Sequence, residues 1–229
     1  MKKVFIGLLI FIAFFVLTAC SLINSEPEVE EIDYVSLESN IRESCMNGVA
    51  FITARYKDAS NKYWTVSSMG AIINQSGNEY EVIAVYNSVI FDSATYIIET
   101  ADGVEHAGVL VKSSESEKLA KISFSSDIDY HVFSLSYSNP EDIDIIAGIG
   151  RSKTIYFGVA DEVKFNSSAG INVFSHSAQI NAVNNTGVII DTNGVLIGIN
   201  IGSGQIVSNG RVTNYAIPSS SIKSFIWIV

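Results

Sequence analysis

The sequence is poor in the residues that most often announce chemistry. Only two cysteines, Cys20 and Cys45, occur in 229 residues, which excludes a disulfide-stapled scaffold and a cysteine-rich zinc module. The three histidines, His106, His131 and His176, stand far apart. No His-Glu-x-x-His helix or aspartate-rich calcium loop occurs, so neither a metal centre nor a cofactor is expected. Basic residues are scarce, with 14 Lys and Arg against 24 Asp and Glu and a formal charge of −10. A phosphate backbone is bound by basic patches, so nucleic acid is not an expected partner. Charged residues make up 17% of the chain and hydrophobic ones 48%. A chain of that composition can bury a core and falls outside the disordered class.

One long hydrophobic run is present. Residues 4–19 form an unbroken apolar stretch of 16 residues behind Lys2 and Lys3. A membrane span needs about 20 residues, so the pattern matches a signal peptide better. The stretch ends in Leu17-Thr18-Ala19-Cys20, which resembles the bacterial lipobox. That resemblance implies acylation of Cys20, cleavage before it, and anchoring at the outer face of a bacterial membrane. The competing reading is an uncleaved N-terminal anchor with a chance cysteine, and it too places the remainder outside the cytoplasm. Several acyl chains on one cysteine, at about 0.8 kcal/mol per buried methylene, would hold the protein firmly. Residues 1–19 are thus read as the signal peptide and 20–33 as the lipidated cysteine with an acidic tether containing Glu26, Glu28, Glu30 and Glu31. Without Lys2 and Lys3, 12 basic residues face 24 acidic ones, a charge of −12. With Cys20 acylated, Cys45 is the only thiol left, and it reads as a small buried hydrophobe.

From about residue 34 onward, short runs rich in Val, Ile, Tyr, Phe and Thr succeed one another at 48–56, 63–73, 80–86, 95–100 and 108–112, then at 143–149, 154–165 and 188–200. Turn residues separate them, and no 12-residue stretch in this part holds a sustained helical period, so the pattern predicts an all-β barrel or sandwich. Asp191-Thr192-Asn193-Gly194 supplies an Asn-Gly tight turn between apolar strands. The one helix expected is terminal, with Ser219 or Ser220 as its cap and Ile222, Phe225, Ile226 and Val229 on one face.

Several motifs carry a resemblance. Ser68-Met69-Gly70-Ala71-Ile72-Ile73 and Ile145-Ile146-Ala147-Gly148-Ile149-Gly150 are similar to strands of the HtrA-type branch of the trypsin-like serine proteases. The most specific match is Asn193-Gly194-Val195-Leu196-Ile197-Gly198-Ile199-Asn200 followed by Tyr215-Ala216-Ile217-Pro218. The resemblance covers roughly 48–226. It implies two six-stranded antiparallel β-barrels, about 34–135 and 136–229, and a short C-terminal helix. Only eleven residues follow Pro218, so no appended PDZ module is expected.

Carried across in the same register, the family's catalytic positions hold the wrong residues. The general-base histidine corresponds to Ser88 in Asn87-Ser88-Val89-Ile90. The orienting aspartate corresponds to Lys118, and the nucleophilic serine to Asn185 in Val183-Asn184-Asn185-Thr186-Gly187. An amide does not attack a carbonyl, a serine does not accept a proton as imidazole does, and a lysine does not orient an imidazolium. Val183 and Thr186 also replace glycines of the oxyanion turn. The expectation is a pseudo-protease that binds a peptide or protein segment in the cleft between barrels, lined by His176, Val183, Asn184, Asn185 and Thr186, by strand addition. Two other readings stay open. One is an active serine-type peptidase with its site relocated around His176, flanked by the hydroxyls of Ser175 and Ser177, or with Thr186 as a displaced nucleophile. The other is a purely structural surface lipoprotein with a filled cleft. His176 itself reads as either a structural or a cleft-lining histidine, and His106 and His131 as structural.

Overall fold

In the computed structural model the described residues are 32–86, 90, 93–151, 153–180, 186–201, 206–208 and 211–227. Cys20, the signal assignment and all of the tether but Ile32 and Asp33 lie outside them. The fold opens on a helix that the sequence pattern did not announce, α1, Tyr34–Ser44. Its periodicity is faint because only Ile41 is buried on it. Local bonds contribute instead: Arg42 pairs with Glu38 at 2.6 Å, one turn away, and donates to the carbonyl of Lys153 at 2.9 Å. The expectation of a single, terminal helix is therefore corrected to two α-helices among the described residues. Cys45 follows α1, fully buried, with its thiol against the Ile41 carbonyl at 3.2 Å. Burial pushes that thiol pKa up.

Six strands then close into an antiparallel barrel: β1 (Val49–Lys57), β2 (Tyr63–Ser76), β3 (Glu79–Val85), β4 (Thr95–Thr100), β5 (Glu105–Ser114) and β6 (Leu119–Ser125), ordered β1-β2-β3-β6-β5-β4. Ile52, Val82, Ile98 and Ile122 fill its interior, with Tyr80 stacked on Phe124 at 5.3 Å between ring centroids. Each such buried side chain contributes roughly 1.5–3 kcal/mol through loss of water contact. Gly70 is required where β2 meets β3, because a Cβ there would lie 2.4 Å from the Ile83 carbonyl oxygen.

The second half forms β7 (Ile146–Ile149), β8 (Ile155–Gly158), β9 (Ala160–Asn166), β10 (Ile171–His176), β11 (Gly187–Asp191), β12 (Leu196–Asn200), β13 (Ile206–Ser208) and β14 (Arg211–Pro218). Their order is β8-β7-β11-β12-β14-β10-β9, with β13 on β14. The expected second closed barrel is thus corrected to a sheet whose ladder stays open. The reason lies in the connection: the two edge strands, β8 and β9, are consecutive in the chain and separated only by Val159. One bent run lies on β7 with its first part and on β10 with its second, so the two ends of the order are joined through the chain at Val159 rather than by a β8–β9 ladder. Val159 is instead held by Ser177, whose amide donates to its carbonyl at 3.0 Å and whose hydroxyl accepts from its amide at 3.0 Å. The Asn-Gly turn between β11 and β12 forms as expected, with Gly194 at φ +79°.

The link between the halves binds both. Phe133 donates its amide to Ile72 of β2, and Ser134 and Ser136 exchange backbone bonds with Leu196 of β12. The terminal helix α2, Ser219–Trp227, buries Ile222 and Phe225. Ser219 begins the helix, and its hydroxyl donates to the Ser136 carbonyl at 2.8 Å. Lys223 donates to the same oxygen at 2.6 Å. The largest cluster of buried side chains joins residues of both halves, including Phe51, Met69 and Ile83 with Ile190, Ile199 and Phe225. Among the described residues no helix is long and apolar enough to cross a membrane.

Candidate functional site

Neighbours of the positions singled out from sequence, Tyr86, Lys118 and Thr186, are all described. Strand β2 pairs Gly70 with Ala84 of β3, and β3 runs on to Tyr86, the residue before Asn87-Ser88. The Tyr86 amide donates to the Lys118 carbonyl at 2.8 Å, which fixes the end of β3 against the turn that Lys118 closes. From the other half, Thr186 reaches across: its hydroxyl oxygen accepts the amide of Met69 at 3.0 Å and lies 3.4 Å from the Ser68 hydroxyl, which donates to it. Ser88, Val183, Asn184 and Asn185 lie outside the described residues. Lys118 is described: it ends the turn before β6, half-buried, with φ at +59°, a left-handed conformation costly for a residue with a Cβ.

His176 and Thr186 were expected along an open cleft. Both are interior, 2% and 1% exposed. Thr186 is held there because its hydroxyl satisfies an otherwise unpaired backbone amide of β2, so withdrawing it would cost a buried hydrogen bond. His176 closes β10, where it pairs with Asn214 of β14. Its Nε2–H donates to Asn200 Oδ1 at 2.8 Å, and Asn200 pairs in turn with Gly187, the neighbour of Thr186. Nδ1 has no hydrogen-bond partner among the described residues. Burial drives the imidazole pKa down to about 4, against the opposing pull of the Asn200 hydrogen bond, so the ring is neutral at physiological pH. Asn214 completes the polar interior by donating to the Ala178 carbonyl at 2.9 Å.

This arrangement has consequences for chemistry. A general base must reach the proton of a nucleophile, and among the described residues no hydroxyl or thiol is hydrogen-bonded to His176. Ser175 is turned away and donates to Asp161, while Ser177 holds Val159. Thr186, buried and bonded to β2, has no hydrogen bond to a base among the described residues. The other histidines serve the first half: His106 Nε2 lies 3.1 Å from the Tyr130 hydroxyl, and His131 packs edge-on against Phe133 at 4.7 Å. Among the described residues no cluster of His, Cys, Asp and Glu has the makings of a metal site. An opening between the halves does exist: a crevice of about 230 Å³ bounded by Ser116 and Glu117 from the turn before Lys118, and by Phe165, Ile171, Ile217 and Ser224 from the second half.

Of the residues singled out from sequence, the structure places Thr186 and His176 in one polar interior and Lys118 at the junction. Asn214, Ser68 and the link at Ser136 were not anticipated. Asn200 stood inside a matched motif without a role, and nothing in the spacing of Asn214 marked it.

No family model matches the chain. Among curated proteins it is similar to the serine protease Do-like HtrA of Bacillus subtilis (strain 168), with 27% identity over 185 residues. The match takes in 72% of this chain and 40% of the relative, so the chain spans about two-fifths of that protein's length. A closed six-stranded barrel joined to a second β-sheet, a short C-terminal helix and this distant similarity fit together as a trypsin-like peptidase fold.

Proposed function

We propose that this protein is a lipid-anchored, extracytoplasmic member of the trypsin-like peptidase fold that has lost proteolysis and binds an extended peptide or a partner's loop. The observation that carries the loss is the state of His176. His176 is buried, bonded to Asn200 and held neutral. It has no substrate-facing role to offer in place of the base that Ser88 replaces. Lys118 and Asn185 at the other two positions supply neither an orienting carboxylate nor a nucleophile. Removing triad members from an enzyme of this kind costs on the order of a millionfold in turnover.

Binding needs no triad, because an extended segment is held by main-chain hydrogen bonds and side-chain pockets. The crevice beside Glu117 supports such a role, and the net charge of −10 favours a neutral or basic segment whose association weakens with salt. The burial of His176 and Thr186 favours a narrower reading, in which the cleft there is filled and the role is structural. The anchor rests on Lys2, Lys3, the apolar run and Leu17-Thr18-Ala19-Cys20.

The full chain, purified in detergent, is to be incubated with an unfolded protein substrate and with fluorescent unstructured peptides of graded positive charge. No cleavage and a salt-sensitive binding isotherm are expected. Cleavage that disappears in His176→Ala would overturn the reading in favour of a relocated site, and an absence of binding at low salt would leave the structural role.

A further inference from the structure

Strands β1 and β2 do not end where the barrel core ends. The last buried residue of β1 is Ala54 and the first of β2 is Ser68, yet the two strands stay paired out to Lys57 opposite Tyr63. Residues 61–65 are exposed without alternation, so both faces of this ribbon meet solvent. A solvated ribbon needs no large rings, but here Tyr63 is 72% exposed and Trp64 45% exposed. Basic residues accompany them. Arg55, Lys57 and Lys62 lie within eight positions of one another in a chain with only 14 basic residues in total. Lys57 Nζ sits 4.6 Å from the centre of the Tyr63 ring, and Lys62 Nζ 4.3 Å from that of Trp64.

The tip is built rather than loose. Asp58 accepts the amides of Ser60 and Lys62 at 2.8 and 3.0 Å through one carboxylate oxygen, and the indole N–H of Trp64 at 2.7 Å through the other. Those hydrogen bonds, the one from Trp64 foremost, hold its pKa below the usual carboxylate range. Asp58 is therefore an internal brace that orients Trp64, and it leaves a local excess of two positive charges at the tip of a strongly acidic protein.

We infer that this hairpin is a membrane-docking arm whose partner is the surface of an anionic phospholipid bilayer. Trp and Tyr partition to the boundary between headgroups and acyl chains, where one end of the ring is wet and the other apolar. Lysines beside them meet the lipid phosphates while their stems lie along apolar surface. Charge complementarity selects this occupant: the body of the protein, at −10 overall, is repelled by an anionic bilayer, and the arm is the part that is attracted. Docking would fix which side of the domain faces the membrane. It requires only the exposed hairpin and is independent of whether Cys20 is acylated.

The test uses the full chain carrying Trp227→Phe, so that Trp64 is the only indole, mixed with vesicles of phosphatidylcholine alone or with one-third phosphatidylglycerol. The reporters are quenching of Trp64 by lipids brominated near the headgroup and by aqueous iodide. The N terminus is the same in every sample, so its own attachment is a constant background. With phosphatidylglycerol, lipid quenching should rise and iodide quenching fall, and both changes should reverse at high salt. Lys57→Ala with Lys62→Ala should shift the docked-to-free ratio by roughly 25-fold, about fivefold for each cation near a charged surface. Asp58 and the strand pairing remain in that variant, so its far-UV spectrum should be unchanged. Trp64 quenching that ignores lipid charge, or that the double variant leaves intact, would overturn the proposal. So would selective protection of Trp64 by a soluble anionic polysaccharide but not by vesicles.

Discussion

The two halves of the molecule solve the same packing problem with different materials. The first closes its ladder and fills its interior with aliphatic side chains and a stack of Tyr80, Phe124 and Tyr130. The second leaves its ladder open and buries an imidazole and two amides, His176, Asn200 and Asn214. Buried polar groups cost free energy unless they are hydrogen-bonded, and here His176 of β10 bonds Asn200 of β12 while Asn214 of β14 donates to the Ala178 carbonyl. The second lobe thus depends on the hydrogen bonds of three buried polar side chains, while the first adds to its packing the bonds of Thr100 with Asp102 and Tyr130. Between them lies a shared apolar cluster that belongs to neither.

The comparison can be broken most severely at that shared cluster. Phe133, 2% exposed and in the link, touches the system both halves use. Phe133→Ala should cost about 3–5 kcal/mol, and thermal unfolding followed by fluorescence and circular dichroism should remain a single transition. Two separated transitions would mean that the halves fold independently.

The second lobe should respond to acid through His176. The folded pKa of His176 is about 4 against an ordinary value near 6.5, so the unfolded chain binds the proton first as pH falls. The stability from keeping the ring neutral is complete above about pH 6.5 and is lost progressively toward pH 4, with about 2 kcal/mol gone by pH 5. Denaturant titrations at pH 7 and 5 should show this loss, and His176→Gln should remove that part of the pH dependence.

A smaller effect is expected at the junction. Thr186→Val removes the acceptor for the buried Met69 amide and should destabilise by about 1–3 kcal/mol, whereas Thr186→Ser should recover most of it. Least of all, Lys118→Gly relieves a left-handed backbone at φ +59° and should leave stability unchanged or raised by up to about 1 kcal/mol.

Much of the fold was legible in the sequence where one physical signal dominated. Runs of β-branched and aromatic residues marked β1 to β5, Asn193-Gly194 marked the β11–β12 turn, and the spacing of Ile222 and Phe225 marked α2. What escaped had a weak or divided signal. Helix α1 buries only Ile41, so no apolar stripe betrays it. The open second ladder follows from a bend at Val159, and a bend has no periodicity. For the site, the burial of Thr186 was not readable by position. A threonine next to a glycine looks the same whether its hydroxyl faces a cleft or, as here, an amide of the opposite half.

The central claim, a peptidase frame without catalytic chemistry, is tested most directly by reacting the full chain with a fluorophosphonate probe and measuring the intact mass. The account predicts no adduct after prolonged incubation, in wild type and His176→Ala alike. A stoichiometric gain in mass on a serine or threonine of the wild type, absent from the denatured chain, would contradict it.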